Sequence, residues 1–298
     1  MKLSIVVVTM NRAKQLIEAL NSCINCIIPE DTEFVIIDNA STDDTSYVIN
    51  SFFTTHKYKY YYERLDENIG CGRGRNYAYL KSHGDYIYFL DDDAYIDLSR
   101  NKDFFKDAIT ILDNNPHVKT LTTQIYDNMW KKNRVDLIGP KFTDGLYKIY
   151  MFCGGSHFLK RDFFKDANPY YDNKYGYEEI FPSLRVYNEG FINAFAPNLL
   201  VIHNPIINKW DEKSKEGIRL AAMGLAQTLL MRFTLFPFFI KPLNILAFIA
   251  RLLPRMSWKL TTYTISIIMT TEIKKREEST LKYSTVLKLF KDFRFSIF

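Results

Sequence analysis

Three adjacent carboxylates, Asp91–Asp93, follow the apolar run Tyr86–Leu90 and are the densest chemical signal in the sequence. Neighbouring carboxylates repel one another and resist burial, so a strand that ends on them needs a compensating positive charge. Mg²⁺ and Mn²⁺ prefer such oxygen ligands and usually share them with the phosphates of a substrate. We therefore predict a divalent cation, Mn²⁺ or Mg²⁺, and a diphosphate here. A solvated acidic turn is the alternative.

A second signal is the segment Glu67–Asn76, which holds three glycines and two arginines ahead of a predicted helix, Asn76–Lys81. Backbone amides exposed by glycine, a helix N-terminus and guanidinium groups all favour phosphate. The segment therefore predicts a phosphate-binding loop. A flexible turn with solvated arginines is the alternative.

Two later segments carry groups that titrate or bind metals. The acid pair Glu178–Glu179 stands beside a glycine and aromatic residues, and a solvated helix start is its structural alternative. His203 ends the apolar run Leu199–Ile202. Neutral imidazole is a usual metal ligand, although a lone histidine after a strand is more often structural.

These groups sit on a pattern of alternating strands and helices. Strands are predicted at Ser4–Thr9, Phe34–Ile37, Tyr58–Tyr62 and Asp85–Leu90, with helical spacing between them. This order predicts a mostly parallel sheet with helices on both faces. Three strand ends are polar, namely Thr9–Arg12, Asp38–Asn39 and Asp91–Asp93. Because ligands bind beyond the carboxyl ends of such strands, we expect one cleft at that edge.

Composition sets the class of protein. The 298 residues are 47% hydrophobic and 24% charged, which is ordinary for a globular protein of one large domain, with or without an appendage. Four cysteines do not make a disulfide framework, and the single pair Cys23/Cys26 lacks the four ligands of a structural zinc site. Met1 leads almost directly into a short strand, so we do not expect a secretory signal.

The C-terminal region has its own charge balance. Gly217–Thr271 contains six basic residues and no acid, so the net charge of +5 is smaller than the charge of this one segment. No uncharged window approaches the roughly 20 residues that span a bilayer. Basic residues flanking apolar runs suit helices in the interface of an anionic membrane, and nucleic acid is not predicted. A helical subdomain packed on the first domain, or an oligomer interface, is the alternative. Glu272–Phe298 predicts a charged linker and an amphipathic helix with Leu281, Val286, Leu287 and Phe290.

Taken in order, the motifs resemble the family 2 glycosyltransferases of the GT-A fold, and more narrowly their rhamnosyltransferase-like bacterial branch. The matching segments are Val7–Arg12, Ile36–Thr45, Asn68–Asn76, Phe89–Asp93, Cys153–Gly155 and Glu178–Glu179. The resemblance covers about residues 1–205. It implies an α/β, Rossmann-like GT-A domain, predicted at 1–210, followed by a basic, apolar helical region at 211–298.

The resemblance also implies roles for single residues. The nucleotide sugar would be bound by Thr9, Asn11, Arg12, Asp38, Asn68, Gly70, Arg75, Asp91, Asp92, Gly154 and Gly155, and the metal by Asp93, Asp91 and His203. Glu179 stands where the family usually has a catalytic aspartate, so it is the candidate general base, with Glu178 as the alternative. A carboxylate of ordinary pKa, about 4.3, is a weak base, and we expect crowding by Tyr175 and Tyr177 to raise it.

The implied function is inverting, metal-dependent transfer of a hexosyl or rhamnosyl group from a nucleoside diphosphate to a glycan or lipid-linked acceptor, in cell-surface polysaccharide synthesis. A lipid-linked acceptor would explain the basic tail, and we expect a cytoplasmic location on the membrane surface. The alternatives are a nucleotidyltransferase and a catalytically inactive protein that binds nucleotide sugars or acts as a membrane scaffold. Oligomer formation stays open.

Overall fold

The computed structural model describes residues 1–165, 167–172, 178–206, 213–255, 257–271 and 280–298. Its strands are β1 Leu3–Thr9, β2 Thr32–Asp38, β3 Lys59–Arg64, β4 Tyr86–Leu90, β5 Ala94–Ile96, β6 Val118–Asp127, β7 Lys132–Asn133, β8 Ile138–Thr143, β9 Leu146–Ile149, β10 Ser156–Lys160 and β11 Ile192–His203. Its α-helices are α1 Ala13–Ile24, α2 Thr45–His56, α3 Cys71–Lys81, α4 Phe104–Asn114, α5 Arg161–Phe164, α6 Ile180–Asn188, α7 Lys215–Leu235, α8 Lys241–Leu252, α9 Trp258–Thr270 and α10 Tyr283–Phe293.

The described strands form one mixed sheet in the order β3-β2-β1-β4-β10-β6-β11-β9-β8. β1 pairs in parallel with β2 and β4, and β3 extends this parallel half. β10 runs antiparallel between β4 and β6, and β11 is parallel to β6. Six strands, β1 to β4, β6 and β11, therefore run in the same direction. Their carboxyl ends lie along one edge.

Strand β1 shows why the sheet carries helices on both faces. Alternate side chains of a strand point to opposite faces, and every face of a doubly covered strand must be apolar. Ile5 and Val7 enter one core cluster with Leu16 of α1. Val6 enters another with Tyr79 of α3. The predicted fold class, a GT-A-like α/β sheet with helices on both faces and a helical C-terminal region, is confirmed. The sheet is mixed rather than mostly parallel, because β8, β9 and β10 pair antiparallel with their neighbours.

Helix α3 begins five residues earlier than predicted, at Cys71 rather than Asn76. Gly70 precedes it with φ of 90°, a conformation that favours glycine. A Cβ on Gly74 would lie 2.8 Å from Val8 Cγ1. Two of the three glycines are therefore inside the helix, and the small size of Gly74 lets α3 approach β1 closely.

The C-terminal helices divide into a part packed on the rest of the chain and an outer part, which consists of α8 and α9. α6, α7 and α10 share a core that includes Leu184, Leu235, Leu289 and Phe293. In α10 the buried apolar residues are Val286, Leu289 and Phe293, whereas Leu287, predicted on the apolar face, is 56% exposed. The spacing of three and four residues puts Leu287 on the opposite side of the helix.

The predicted boundary at residues 210 and 211, and the charged linker at 272–279, lie outside the described residues. Among the helices that are described, none combines the length and the apolar character needed to cross a membrane.

Candidate active site

The shared edge of the sheet brings together side chains that are far apart in sequence. Thr9, Asp38, Asp127 and His203 are the last residues of β1, β2, β6 and β11, and Asp91 follows the last residue of β4. Asp127 and His203 are direct partners in the β6–β11 register. The expected cleft at this edge therefore has a structural basis in six parallel strand ends.

Arg12 and Thr9 hold the middle of the acidic triplet. Arg12 Nη1 lies 2.5 Å from Asp92 Oδ1 and 2.8 Å from Asp93 Oδ2. Thr9 Oγ1 donates to Asp92 Oδ2 at 2.8 Å. Burial, opposed by Arg12 and assisted by the neighbouring Asp93, raises the pKa of Asp92 to about 6. Asp92 thus ties the loop after β1 to the end of β4.

The three predicted metal ligands converge. Asp91, Asp93 and His203 each offer one atom, and these atoms lie within 4.8 Å of one another. His203 Nε2 is 3.2 Å from Asp93 Oδ1. Burial lowers the pKa of His203, but the hydrogen bond and charge of Asp93 outweigh it and leave the pKa raised. Two carboxylates and one imidazole form a donor set that suits Mn²⁺, and Mg²⁺ favours the oxygens.

Arg75 joins this cluster to the acid pair. Its guanidinium lies 2.8 Å from Asp91 Oδ1, 2.6 Å from Glu178 Oε1 and 3.3 Å from Glu179 Oε1. It also donates to the carbonyl oxygen of Gly154 at 3.0 Å. The Arg75 side chain is 6% exposed, so one buried cation serves three carboxylates. We had predicted that Arg75 reaches the nucleotide or its diphosphate, whereas in the structure its guanidinium contacts these groups of the protein.

The two glutamates differ in accessibility. The Glu178 side chain is 5% exposed and makes the shorter contact with Arg75, whereas Glu179 is 14% exposed. Burial, with the charge of Glu178 added, raises the pKa of Glu179 to about 8. Tyr175 and Tyr177, which we expected to cause such a shift, lie outside the described residues. Glu179 is the better placed of the two to exchange a proton with a ligand.

Gly154 and Gly155 make room for these carboxylates. A Cβ on Gly154 would lie 1.9 Å from Glu179 Oε1 and 2.8 Å from Arg75 Nη1. A Cβ on Gly155 would lie 3.1 Å from Asp91 Oδ2. Gly154 therefore lies against Glu179 of the acid pair, and Gly155 lies against Asp91 of the metal-ligand cluster.

The remaining predicted nucleotide-binding residues build the loops beside the cleft. Asp38 is fully buried, and its carboxylate accepts from the Ser41 amide at 2.7 Å and the Tyr62 hydroxyl at 3.0 Å. Asn11 Oδ1 accepts from the Thr42 amide at 2.7 Å. Asn68 Oδ1 accepts from the amide of Gly70 at 2.8 Å and shapes the turn into α3. Contacts of these residues with a nucleotide stay a prediction.

Two residues that we had not singled out also lie at the site. Asp127 Oδ2 is 2.8 Å from His203 Nδ1, and Arg134 Nε is 4.0 Å from the same oxygen. Burial lowers the pKa of Arg134, but the charges of Cys153, Asp91, Asp127 and Asp93 outweigh burial and leave the pKa raised. Asp127 had a weaker signal, because it ends a strand as Asp91 follows one, but its strand mixes apolar residues with threonines, a lysine and a glutamine. Arg134 had none.

Comparison with known proteins identifies the family. The family model described as "Glycosyl transferase family 2" matches residues 4–167, which is more than half of the chain. The chain belongs to glycosyl transferase family 2. The family predicted from the motifs is thus confirmed, while the rhamnosyltransferase-like branch stays a prediction.

Curated family 2 relatives match over shorter stretches. The poly(ribitol-phosphate) beta-N-acetylglucosaminyltransferase TarS of Staphylococcus aureus is 35% identical over 116 residues, 38% of this chain and 19% of that protein. The poly(ribitol-phosphate) beta-glucosyltransferase of Bacillus spizizenii is 35% identical over 97 residues, 32% of this chain and 15% of the relative. The chain spans no more than about a fifth of these relatives.

Solved structures support the fold. TarS residues 1–349 in complex with UDP-GlcNAc superpose with a TM-score of 0.58 at 21% identity, covering 77% of this chain and 67% of that one. The mannosyltransferase PcManGT of Pyrobaculum calidifontis, in complex with GDP-Man and Mn²⁺, gives a TM-score of 0.64 at 16% identity. The match covers 97% of this chain and 80% of PcManGT. Since the PcManGT match covers nearly the whole chain, the C-terminal helices belong to the shared architecture.

Proposed function

We propose that this family 2 chain transfers a sugar, with inversion, from a nucleoside diphosphate to a hydroxyl group of a cell-surface polymer or its lipid-linked precursor. One observation carries the proposal. Arg75 joins Asp91 of the metal-ligand cluster to the pair Glu178–Glu179 through contacts of 2.6 to 3.3 Å. The group that would hold the donor and the group that would accept a proton are therefore fixed to one another.

Glu179 acts as the general base. It accepts the proton of the acceptor hydroxyl as that oxygen attacks the anomeric carbon, and the bond to the diphosphate breaks. Arg75 holds Glu178 and keeps two adjacent carboxylates from repelling each other out of position. Gly154 leaves the space in which the Glu179 carboxylate sits.

Asp91, Asp93 and His203 would hold a divalent cation, which supplies Lewis-acid stabilisation of the charge on the departing diphosphate. The chemistry of this donor set supports Mn²⁺ or Mg²⁺. Neighbouring structures contain UDP-GlcNAc, or GDP-Man with Mn²⁺, and these are the first donors to test.

The names of the curated relatives guide the choice of acceptor. TarS and the Bacillus spizizenii enzyme are both named for poly(ribitol-phosphate). We propose an acceptor of this general class, a polyol-phosphate or glycan polymer of the cell surface. A nucleotidyltransferase finds no support, because it needs no separate base on the acceptor side and would leave Glu179 without a task.

The outer C-terminal helices support a peripheral membrane location. In the described part of α8 and its flanks, Phe238, Phe239 and Leu246 are 75%, 83% and 61% exposed, and Trp258 is 83% exposed. No acid occurs from Gly217 to Thr271. Exposed apolar side chains in a segment whose charged residues are all basic suit a surface of anionic lipids, which supports a location on the cytoplasmic face of the membrane, near a lipid-linked acceptor.

Substitution of the proposed base tests the function. Glu179→Gln should lower kcat by about 10²- to 10⁴-fold, because general-base catalysis contributes that much, while binding of the donor persists. Glu178→Gln should lower kcat by a smaller factor, since the oxygen of the glutamine amide can still accept from Arg75. Transfer is measured with a panel of donors that includes UDP-GlcNAc and GDP-Man, and donor binding is measured by thermal shift with and without Mn²⁺. Transfer at the wild-type rate in both variants would show that neither glutamate is the general base.

The pH dependence gives an independent check of the same residue. Glu179 must be deprotonated to accept a proton, so a raised pKa shifts the rise of kcat/KM upward in pH. We expect the lower limb to inflect near pH 8, the pKa of Glu179, rather than near the ordinary value of about 4.3. A limb that stays below about pH 5 contradicts the assignment.

A further inference from the structure

The last residue of β6, Asp127, lies behind the metal-ligand cluster with both carboxylate oxygens occupied. Its side chain is 1% exposed. Oδ2 accepts from His203 Nδ1 at 2.8 Å. Oδ1 accepts from the backbone amides of Met129 and Trp130 at 2.9 and 2.7 Å. One carboxylate therefore binds the imidazole with one oxygen and the following turn with the other.

The backbone sets this contact. β6 and β11 run in parallel, and Asp127 stands opposite His203 in their register. The amide of Asn128 donates to the carbonyl oxygen of His203 at 2.9 Å. Two neighbouring strand ends thus hold the carboxylate and the imidazole side by side, independently of the loop that follows.

The direction of the hydrogen bond decides which ring nitrogen is available. An ionised carboxylate only accepts, so His203 Nδ1 must donate to it. In the neutral ring the opposite nitrogen, Nε2, then carries the lone pair that a cation would take. Nε2 is also the nitrogen that faces the cluster, where it lies 3.2 Å from Asp93 Oδ1 and donates to that oxygen when the ring is protonated.

We propose that Asp127 is a positioning residue that orients His203 and fixes its tautomer for the divalent cation. The proposal deepens the proposed function and rests on its metal site. Carboxylate partners of metal-binding histidines typically change metal affinity by 10- to 100-fold when they are mutated. Asp127 also binds the backbone of the turn that reaches Trp130, and Arg134, the residue after β7, lies 4.0 Å from its carboxylate. The same side chain therefore contacts both the histidine of the cation site and the loop after β6.

A purely structural role, the capping of the turn at Met129 and Trp130, is the competing explanation. Asp127→Asn separates the two. The Asn oxygen can still accept from both amides, while its NH₂ group replaces the acceptor that faced His203. An Asn donor at that position favours the tautomer protonated on Nε2, whose Nε2 has no lone pair to offer to a metal in the cluster. Asp127→Ser gives the same separation, because its hydroxyl can cap the turn but is too short to reach the ring.

The experiment measures Mn²⁺ affinity by electron paramagnetic resonance of the full chain, with the metal alone and with added UDP or GDP. Asp127→Asn and Asp127→Ser should each bind Mn²⁺ about 10- to 100-fold more weakly than the wild type, with little change in melting temperature. The matched control is Asp97→Asn, because Asp97 Oδ1 caps a similar turn, accepting from Ser99 N at 3.0 Å and Ser99 Oγ at 2.6 Å. That variant should bind Mn²⁺ like the wild type.

A double-mutant cycle with His203→Ala completes the test. If Asp127 acts through His203, adding Asp127→Asn to His203→Ala should cause no further loss of affinity. Unchanged Mn²⁺ affinity in Asp127→Asn, or an additional loss of full size in the double variant, overturns the positioning role. If the wild-type protein itself binds no Mn²⁺ with either nucleotide, the metal site of the proposed function fails instead.

Discussion

The edge of the sheet that carries the candidate site and the outer C-terminal helices, α8 and α9, differ in how their side chains are covered. At the edge, charged groups are buried against each other, as Arg75 is against Asp91, Glu178 and Glu179. In α8 only Asn244 is buried, and large apolar side chains such as Leu246 face solvent. A region that pairs its charges internally must keep a fixed geometry. A region that leaves apolar surface uncovered depends on something outside the described chain.

The largest expected effect breaks the pairing at the edge. Arg75→Met removes the one buried cation shared by three carboxylates. Breaking a buried ion pair typically costs about 3–5 kcal/mol, because it leaves an uncompensated buried charge. Urea unfolding should show a loss of that size, and transfer should be lost with it.

The matched control is two residues away on the same helix. Arg73 pairs with Asp172 at 2.8 Å, but both side chains are 44% or more exposed. Arg73→Met should therefore change the free energy of unfolding by less than about 1 kcal/mol. Equal losses in the two variants would mean that burial is not what distinguishes Arg75.

The next effect tests how tightly the edge is packed. Gly154→Ala places a methyl group 1.9 Å from Glu179 Oε1, so the side chain of the proposed base must move. A displacement of about 1 Å in a catalytic group can reduce the rate about 10²-fold, and we expect a loss of kcat of that order. Gly145→Ala is the control, since no atom lies within 4 Å of its added Cβ and only its φ of 74° is strained. Its melting temperature should fall slightly while kcat is retained.

The smallest effect on the fold is expected at the outer helices. Phe238 and Phe239 are 75% and 83% exposed, so the double substitution to Ser should leave the free energy of unfolding within about 0.5 kcal/mol. It should weaken binding to vesicles that contain anionic lipid by about 10-fold or more, because two aromatic side chains no longer enter the interface. Sedimentation with anionic and with neutral vesicles measures this.

The control for the membrane surface is an aromatic residue elsewhere. Tyr47 in α2 is 76% exposed, and Tyr47→Ser should leave vesicle binding unchanged. Vesicle binding that survives the loss of both phenylalanines, or that is equal for neutral and anionic lipid, would argue for a protein partner or an oligomer on this face instead.

Several features of the fold and the site followed from local patterns. The strands β1, β2 and β4 are continuous apolar runs that end in polar residues, and such runs are read directly because both faces of a central strand must be buried. The start of α3 was missed because glycines normally weaken a helix, whereas here Gly74 is needed for contact with Val8. The reason for a glycine at position 74 therefore lies in the packing of α3 on β1 rather than in helix propensity.

Residue types and their order along the chain were enough to predict the family, the parallel half of the sheet and the candidate ligands Asp91, Asp93 and His203. The contacts of each charged group, in contrast, depend on how the chain folds. Arg75 meets Glu178 across a separation of 103 residues, and Asp127 meets His203 across 76. The first pair joins helix α3 to the segment before α6, and the second joins two neighbouring strand ends. Burial then makes the electrostatic coupling within each pair strong. No local pattern in the sequence encodes that adjacency.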